Sequence, residues 1–144
     1  MPMVYGPILH HVDSMDHLNE STNAIWGVIN GTAKSVPETQ FPGFVDVRDA
    51  AAAHVAALTA PTASNSRYSV VGGLYSFGQV AAIAKKRHPD RQIPQGDTSL
   101  PDSYHIDGSK CKRELLKRDY ITLEKCISDT VDQLYELEKK LKKT

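Results

Sequence analysis

No apolar run in the 144-residue sequence approaches the roughly 20 residues that a membrane-spanning helix needs. The N-terminus also lacks the basic-then-apolar layout of a secretory leader. These two absences set the expectation of a cytoplasmic chain with no membrane partner. Net charge is missing as well. Seventeen basic residues balance 17 acidic ones, so there is no global field of the kind that draws a protein to nucleic acid. The one local bias is the tail Lys139, Lys140, Lys142 and Lys143, which reads as a solvated helix end that complements the helix dipole. Only two cysteines are present, Cys111 and Cys126, and neither has a Cys-x-x-Cys neighbour. A disulfide framework and a cysteine metal site are therefore not expected. Among the nine glycines no Gly-x-Gly-x-x-Gly or Gly-x-x-Gly-x-x-Gly spacing occurs, so the chain carries no dinucleotide phosphate loop. Internal repeats and low-complexity segments are absent too.

What is present alternates between strand and helix signals within the size of a single folding unit, residues 1–144. Met3 to Tyr5 reads as the end of a strand stopped by Gly6-Pro7. Leu18, Thr22, Ile25 and Ile29 mark one face of a helix that ends at Gly31. In FPGFVDVRDAAAAHVAAL, residues 41 to 58, a short strand through Phe44, Val45 and Val47 runs straight into an alanine-rich helix. Asp49 is the expected N-cap there, and Ala51, Val55 and Leu58 the inward face. Arg67 to Val71 is rich in β-formers and precedes Gly72-Gly73, while Ser76 to Gln79 has capping-box spacing before a helix with Val80, Ile83 and Ala84 inward. A loop over residues 91–103, with a short strand at Gln92-Ile93, leads to a helix at Lys110 to Lys117. The last helix carries Ile127, Val131, Leu134 and Leu141 as its stripe. The pattern is α/β, with strands that expect a parallel sheet.

Several residues invite chemical readings. His10, His11, Asp13 and His17 lie close in sequence, but adjacent histidines project in different directions and no second ligand pair has metal spacing, so no metal is expected. His54 reads as a packed or hydrogen-bonded histidine without a catalytic partner. Tyr135 and Lys139 stand one helical turn apart, the pairing by which a lysine lowers a tyrosine pKa in short-chain reductases. Both fall at the edge of the apolar stripe on a heavily charged helix, and no catalytic residue is assigned to the chain.

The blocks Pro2 to Pro7, His17 to Ser21, Phe44 to His54 and Arg67-Tyr68, with Tyr104 to Asp107 and Leu115-Leu116 to Leu123-Glu124, resemble in order and spacing the extended short-chain dehydrogenase/reductases. The branch is that of fungal aldehyde and ketone reductases, similar to methylglyoxal reductase and dihydroflavonol reductase. The resemblance implies an incomplete Rossmann-type fold: the C-terminal part with the small substrate-binding subdomain, without the dinucleotide-binding half and without the catalytic tyrosine and lysine. It further implies NADP as cofactor, with Val4 beside the nicotinamide end and Ser21 reaching the cofactor from the start of the next helix. The loops Leu9 to Ser14 and Gln95 to Tyr104 would line the substrate pocket, and a small carbonyl compound would be the substrate once the enzyme is complete. From the residues alone, Val4 also reads as core and Ser21 as a helix-terminus hydroxyl. A non-catalytic ligand-binding or interaction module derived from the same family is the alternative. Exposed sheet surface is expected to promote self-association.

Two positions depart from the resemblance. Met1 stands where the first proline of an Asn-Pro-Pro entry is expected, so the chain begins inside that motif. Lys117 and Arg118 replace the glycine and aromatic residue that usually follow the Leu-Leu pair. Keeping a left-handed backbone there without glycine costs on the order of 1 kcal/mol.

Overall fold

Gly6-Pro7 ends the first strand as expected: β1 is Met3–Tyr5. The computed structural model describes residues 2–143, and Met1, aligned above with a proline, lies outside the described residues. A 3-10 turn at Met15–His17 leads to α1, Glu20–Ile29, whose Thr22, Ile25, Val28 and Ile29 are buried. β2, Gly43–Asp46, runs straight into α2, Val47–Thr59, with no intervening loop. β3 is Gly73–Leu74, and α3, Phe77–Arg87, follows it behind the Ser76–Gln79 capping box. A single turn, α4, Ser109–Cys111, passes into a π-helical turn at Lys112–Leu116 before the long closing helix α5, Leu123–Leu141.

The sheet has the order β1-β2-β3. β1 lies parallel to β2 with Val4 opposite Val45, whereas β3 is antiparallel to β2 with Gly73 opposite Phe44. β1 is thus an edge strand, hydrogen-bonded on one side. All four residues of β2 are buried, and since alternate side chains of a strand point to opposite faces, both faces of the sheet are covered there. The main core joins Tyr5, Phe44 and Tyr75 to α1, α3 and α5, with Val80, Ile127, Val131 and Leu134 fully buried. A smaller cluster sets Ala53 of α2 against Cys111 and Leu115. Tyr5 and Tyr75 hydrogen-bond hydroxyl to hydroxyl at 2.7 Å with their rings edge-to-face, tying the edge strand to the chain after β3.

Several expectations need correction. Asp46 caps α2, accepting the Arg48 N–H at 2.8 Å; Asp49 lies inside the first turn and is fully buried. The helix therefore turns Asp49, Ala53, Ala56 and Ala60 inward, and Val55 and Leu58 face solvent at 67 % and 84 % exposure. Short alanines let α2 lie close to the layer beneath, and an apolar count could not tell which alanine face that would be. Residues 67–71 form no strand. Pairing begins later, with the Gly72 N–H donating to the Phe44 carbonyl at 2.8 Å, because the backbone must reach β2 where it carries the smallest side chains. Gln92-Ile93 is not a strand either; Ile93 serves as an isolated core anchor. The helix expected at 110–117 is the α4 and π-turn pair, and it closes on Lys117 in the left-handed region at φ 54°, ψ 27°. The chain keeps the turn of a glycine cap while placing a lysine in it.

Candidate active-site groove

At the C-terminal end of β1 the chain turns through Gly6 at φ +130°, where a Cβ would meet Val47 Cγ1 at 2.8 Å. Glycine is thus the residue that lets the strand end pass over the start of α2. Pro7, Ile8 and Leu9 continue outward, and α1 begins nearby. Between them lies an open groove of about 380 Å³, walled by Val4, Tyr5, Pro7, Ile8, Leu9 and Val47 on the apolar side and by His10, Asn19, Ser21 and Thr22 on the polar side. Val4 and Ser21, separated by a loop and a 3-10 turn in sequence, share this groove. Val4 is 39 % exposed, so its side chain contributes wall rather than core.

The polar side is the N-terminal turn of α1. Its N-cap Asn19 makes no side-chain capping bond to the backbone; its amide donates instead to Ser21 Oγ at 3.0 Å. The first-turn N–H groups of a helix have no partner within the helix, and here the cap side chain supplies none either. Glu20 adds a negative charge in the same turn. Uncharged polar groups suit this end better than a phosphate does.

Tyrosine hydroxyls near this region are already committed. Tyr5 Oη pairs with Tyr75, and burial first, then that hydrogen bond, push its pKa far above the usual phenol range. Tyr135 is not at the edge of the stripe as expected. It is buried, donates to the Ile29 carbonyl at 2.8 Å, stacks edge-to-face with His88 and Trp26, and lies 4.0 Å beneath the Arg91 guanidinium. Burial raises its pKa. Lys139, one helical turn further along α5, is exposed. The apolar count missed the inward turn of Tyr135 because its ring continues the stripe while its hydroxyl finds a carbonyl.

The histidines disperse. His17 Nδ1 pairs with Asp13 at 2.9 Å on the surface, His10 lines the groove, and the exposed His54 bonds the Ala50 carbonyl at 2.7 Å. Among the described residues no group of three or more His, Cys, Asp or Glu is placed to hold a metal ion, and no helix is long and apolar enough to cross a membrane. Both cysteines are buried free thiols. Burial and the neighbouring Asp46 carboxylate push the Cys126 thiol well above its ordinary range.

The two loops expected to line one pocket line different ones. Leu9 and His10 belong to the β1 groove, whereas Gln95 to Pro101 border a separate cavity of about 450 Å³ against Ser35 to Thr39 and the start of α3. There the backbone of Asp97 crosses Gly78 so closely that a Cβ would sit 1.8 Å from the Asp97 carbonyl oxygen. Sequence reasoning also missed the charge lattice beside the groove. Arg48 holds Asp46 through Nη2 at 2.7 Å and Asp129 through Nη1 at 2.8 Å, joining the β2–α2 corner to α5. Its sequence signal was the Asp-Val-Arg order at the corner, which puts a guanidinium within reach of its own helix cap.

No family model matches the chain. Individual proteins do. An uncharacterized oxidoreductase of Schizosaccharomyces pombe is 36 % identical over 140 residues, covering 94 % of this chain and 40 % of its own length. A ketoreductase of Aspergillus niger is 33 % identical over 146 residues, covering 94 % and 42 %. The crystal structure of the yeast methylglyoxal/isovaleraldehyde reductase Gre2 complexed with NADPH superposes with a TM-score of 0.81 at 28 % identity, over 95 % of this chain and 42 % of that one. The chain spans about two fifths of the length of the curated relatives it matches. In sequence and in fold it belongs to the extended short-chain dehydrogenase/reductases and corresponds to their C-terminal part.

Proposed function

We propose that the chain is the substrate-side part of an NADPH-dependent reductase of aldehydes or ketones, with the dinucleotide loop and the catalytic tyrosine and lysine contributed by sequence outside residues 1–144. The observation that carries this reading is the β1 groove, which gathers Val4 and Ser21 into one wall beside an uncapped helix start. NADPH, when bound, supplies the hydride, and the protein supplies position and polarity. Val4 and Pro7 offer a flat apolar surface to the nicotinamide end. Ser21 Oγ accepts from Asn19 and so has its own hydroxyl proton to donate to a ribose or amide oxygen. Glu20 in the same turn disfavours a phosphate at this spot and favours the less charged end of the cofactor.

A cofactor titration tests this in a protein that joins this chain to an upstream half carrying the phosphate loop and the catalytic pair. One neutral hydrogen bond is worth roughly 0.5–1.5 kcal/mol, so Ser21→Ala is expected to weaken NADPH binding by about two- to thirteen-fold. Tyr135→Phe should leave it unchanged. An unaltered dissociation constant for Ser21→Ala together with a large loss for Tyr135→Phe would overturn the assignment.

A second reading, a ligand-binding module without turnover, is favoured by the commitment of Tyr5 and Tyr135 to other partners, which leaves neither hydroxyl free to pass a proton into the groove. For the chain on its own this reading predicts saturable binding of small carbonyl compounds with no NADPH consumption. Turnover by the isolated chain rejects it.

A further inference from the structure

The backbone between β1 and the 3-10 turn at Met15–His17 has no strand to pair with. Among the described residues, 8–12 take part in no backbone–backbone hydrogen bond. Ile8 nevertheless has both of its backbone groups satisfied. Gln133 of α5, 125 positions along the sequence, accepts the Ile8 N–H with Oε1 and donates from Nε2 to the Ile8 carbonyl at 2.7 Å. A primary amide carries a donor and an acceptor side by side, so it can hold the N–H and C=O of one residue much as a neighbouring strand would.

What this bracket holds is a partition. Ile8 and His10 wall the groove at the end of β1, and the same two residues wall a smaller cavity behind it, completed by Val12 of the loop and by Gln133, Glu136, Leu137 and Lys140 of α5. The groove is about 380 Å³ and the rear cavity about 140 Å³. Tyr5 and Val12 are buried on either side of Ile8, so the segment is anchored at both ends and Gln133 sets its middle. Freed from the bracket, Ile8 has the rear cavity to withdraw into, and the groove can gain up to that volume. A space of about 150 Å³ takes up benzene. The gain is therefore about the size of a phenyl ring.

We infer that Gln133 is a positioning residue of the proposed reductase site: it holds Ile8 forward, keeps the groove and the rear cavity apart, and so restricts the carbonyl substrate to short chains in preference to aryl-bearing ones. The inference rests on the reading of this groove as the carbonyl site. α5 thereby governs substrate size without touching the substrate.

Two measurements test it, with circular dichroism to verify the fold of each variant. In the chain itself, amide exchange followed by NMR should show the Ile8 N–H exchanging at least tenfold faster in Gln133→Ala, with Phe44 and Val45 unchanged. In the joined protein, the ratio of kcat/KM for 3-phenylpropanal to that for propanal should rise at least fivefold in Gln133→Ala. Gln133→Glu keeps the shape and makes the bracket titratable. Its protonated carboxyl still donates to the Ile8 carbonyl and accepts the N–H, whereas the ionised form has only acceptors and repels the carbonyl. The ratio in Gln133→Glu should therefore lie near the wild-type value at pH 4.5 and climb toward pH 8, since an ordinary glutamate titrates at roughly 4.3 and the facing carbonyl raises that. His10, Glu136 and Lys140, which line the same cavity, are present in the wild type too, so its own profile removes their contribution. An Ile8 amide that exchanges alike with and without Gln133 overturns the inference. So does an active wild-type protein whose aldehyde ratio Gln133→Ala leaves unaltered, or a Gln133→Glu ratio that is flat with pH. A joined wild-type protein that reduces neither aldehyde overturns the reductase reading instead, and the size limit falls with it.

Discussion

Asp49 is the most exacting place to test the packing of α2. Its side chain is fully buried, Oδ2 accepts the Ile121 N–H at 2.7 Å, and Oδ1 lies 2.6 Å from Arg118 Nη1 as an ion pair that is not aligned as a hydrogen bond. Arg118 itself is 46 % exposed, so it can return to water when the carboxylate is lost. Asp49→Asn keeps a carbonyl oxygen for Ile121 and removes a buried charge; the expected loss is about 1 kcal/mol or less. Asp49→Ala strands the Ile121 N–H as well, which adds roughly 1–3 kcal/mol. Arg118→Ala leaves a charged group buried with one hydrogen bond. Breaking a buried pair in this way costs about 3–5 kcal/mol when both partners are dry, and the half-exposed arginine reduces that to roughly 2–3 kcal/mol. The decisive comparison is the double variant. With Asp49→Asn in place the stranded charge is gone, so Arg118→Ala should cost far less than it does alone. Urea unfolding measures all four proteins, with midpoints compared at constant slope. Equal and additive costs in the two backgrounds would refute the claim that the carboxylate needs its arginine.

Lys117→Gly is expected to raise stability by about 0.5–1 kcal/mol, read as a higher urea midpoint, since it relieves a left-handed backbone at φ 54°. Gly78→Ala should destabilise by roughly 1–3 kcal/mol despite the better helix propensity of alanine, because the new methyl group collides with the Asp97 backbone; a rise in melting temperature would refute that close approach. Acid should weaken the fold. Arg87 holds Asp132 below the ordinary carboxylate range, and at Asp46 the Arg48 hydrogen bonds outweigh the upward push of burial. Groups depressed in the folded state contribute stability above their unfolded pKa near 4 and lose it as pH falls through the folded value. Thermal unfolding should therefore be level from neutrality to about pH 5 and decline below pH 4. A flat profile down to pH 2 would count against these pairs.

Elements that depend on a local signal were legible in the sequence. Ser76 and Gln79 announce α3 because the capping box is formed by residues three apart. Gly6-Pro7 stops β1 because neither residue extends a strand there. Ile127, Val131 and Leu134 show the buried face of α5 because their polar neighbours are charged. In α2 alanine occupies both faces, and hydropathy cannot rank them; the deciding contact is Asp49 with Arg118, residues 69 positions apart in sequence. Similarly, the β-formers at Arg67 to Val71 satisfy a propensity, whereas pairing depends on where the chain can meet Phe44. Of the groove, the resemblance supplied Val4 and Ser21. The supporting parts, Gly6 under Val47 and the turned-away Asn19 amide, arise from three-dimensional proximity that no spacing encodes.

α5 packs on α3 and also reaches back to β1 and α1. Gln133 brackets Ile8, donating to its carbonyl at 2.7 Å and accepting its N–H, and Tyr135 holds the end of α1. The sheet is complete in hydrogen-bond terms by Leu74, but its main core stays open until residues 126–135 arrive. During synthesis, then, β1 and α1 emerge well before α5, which covers them. Once folded, detachment of α5 exposes the main core and cannot be a small local event. Amide hydrogens of β1 and of α5, at opposite ends of the chain, should exchange together and at the rate of global unfolding.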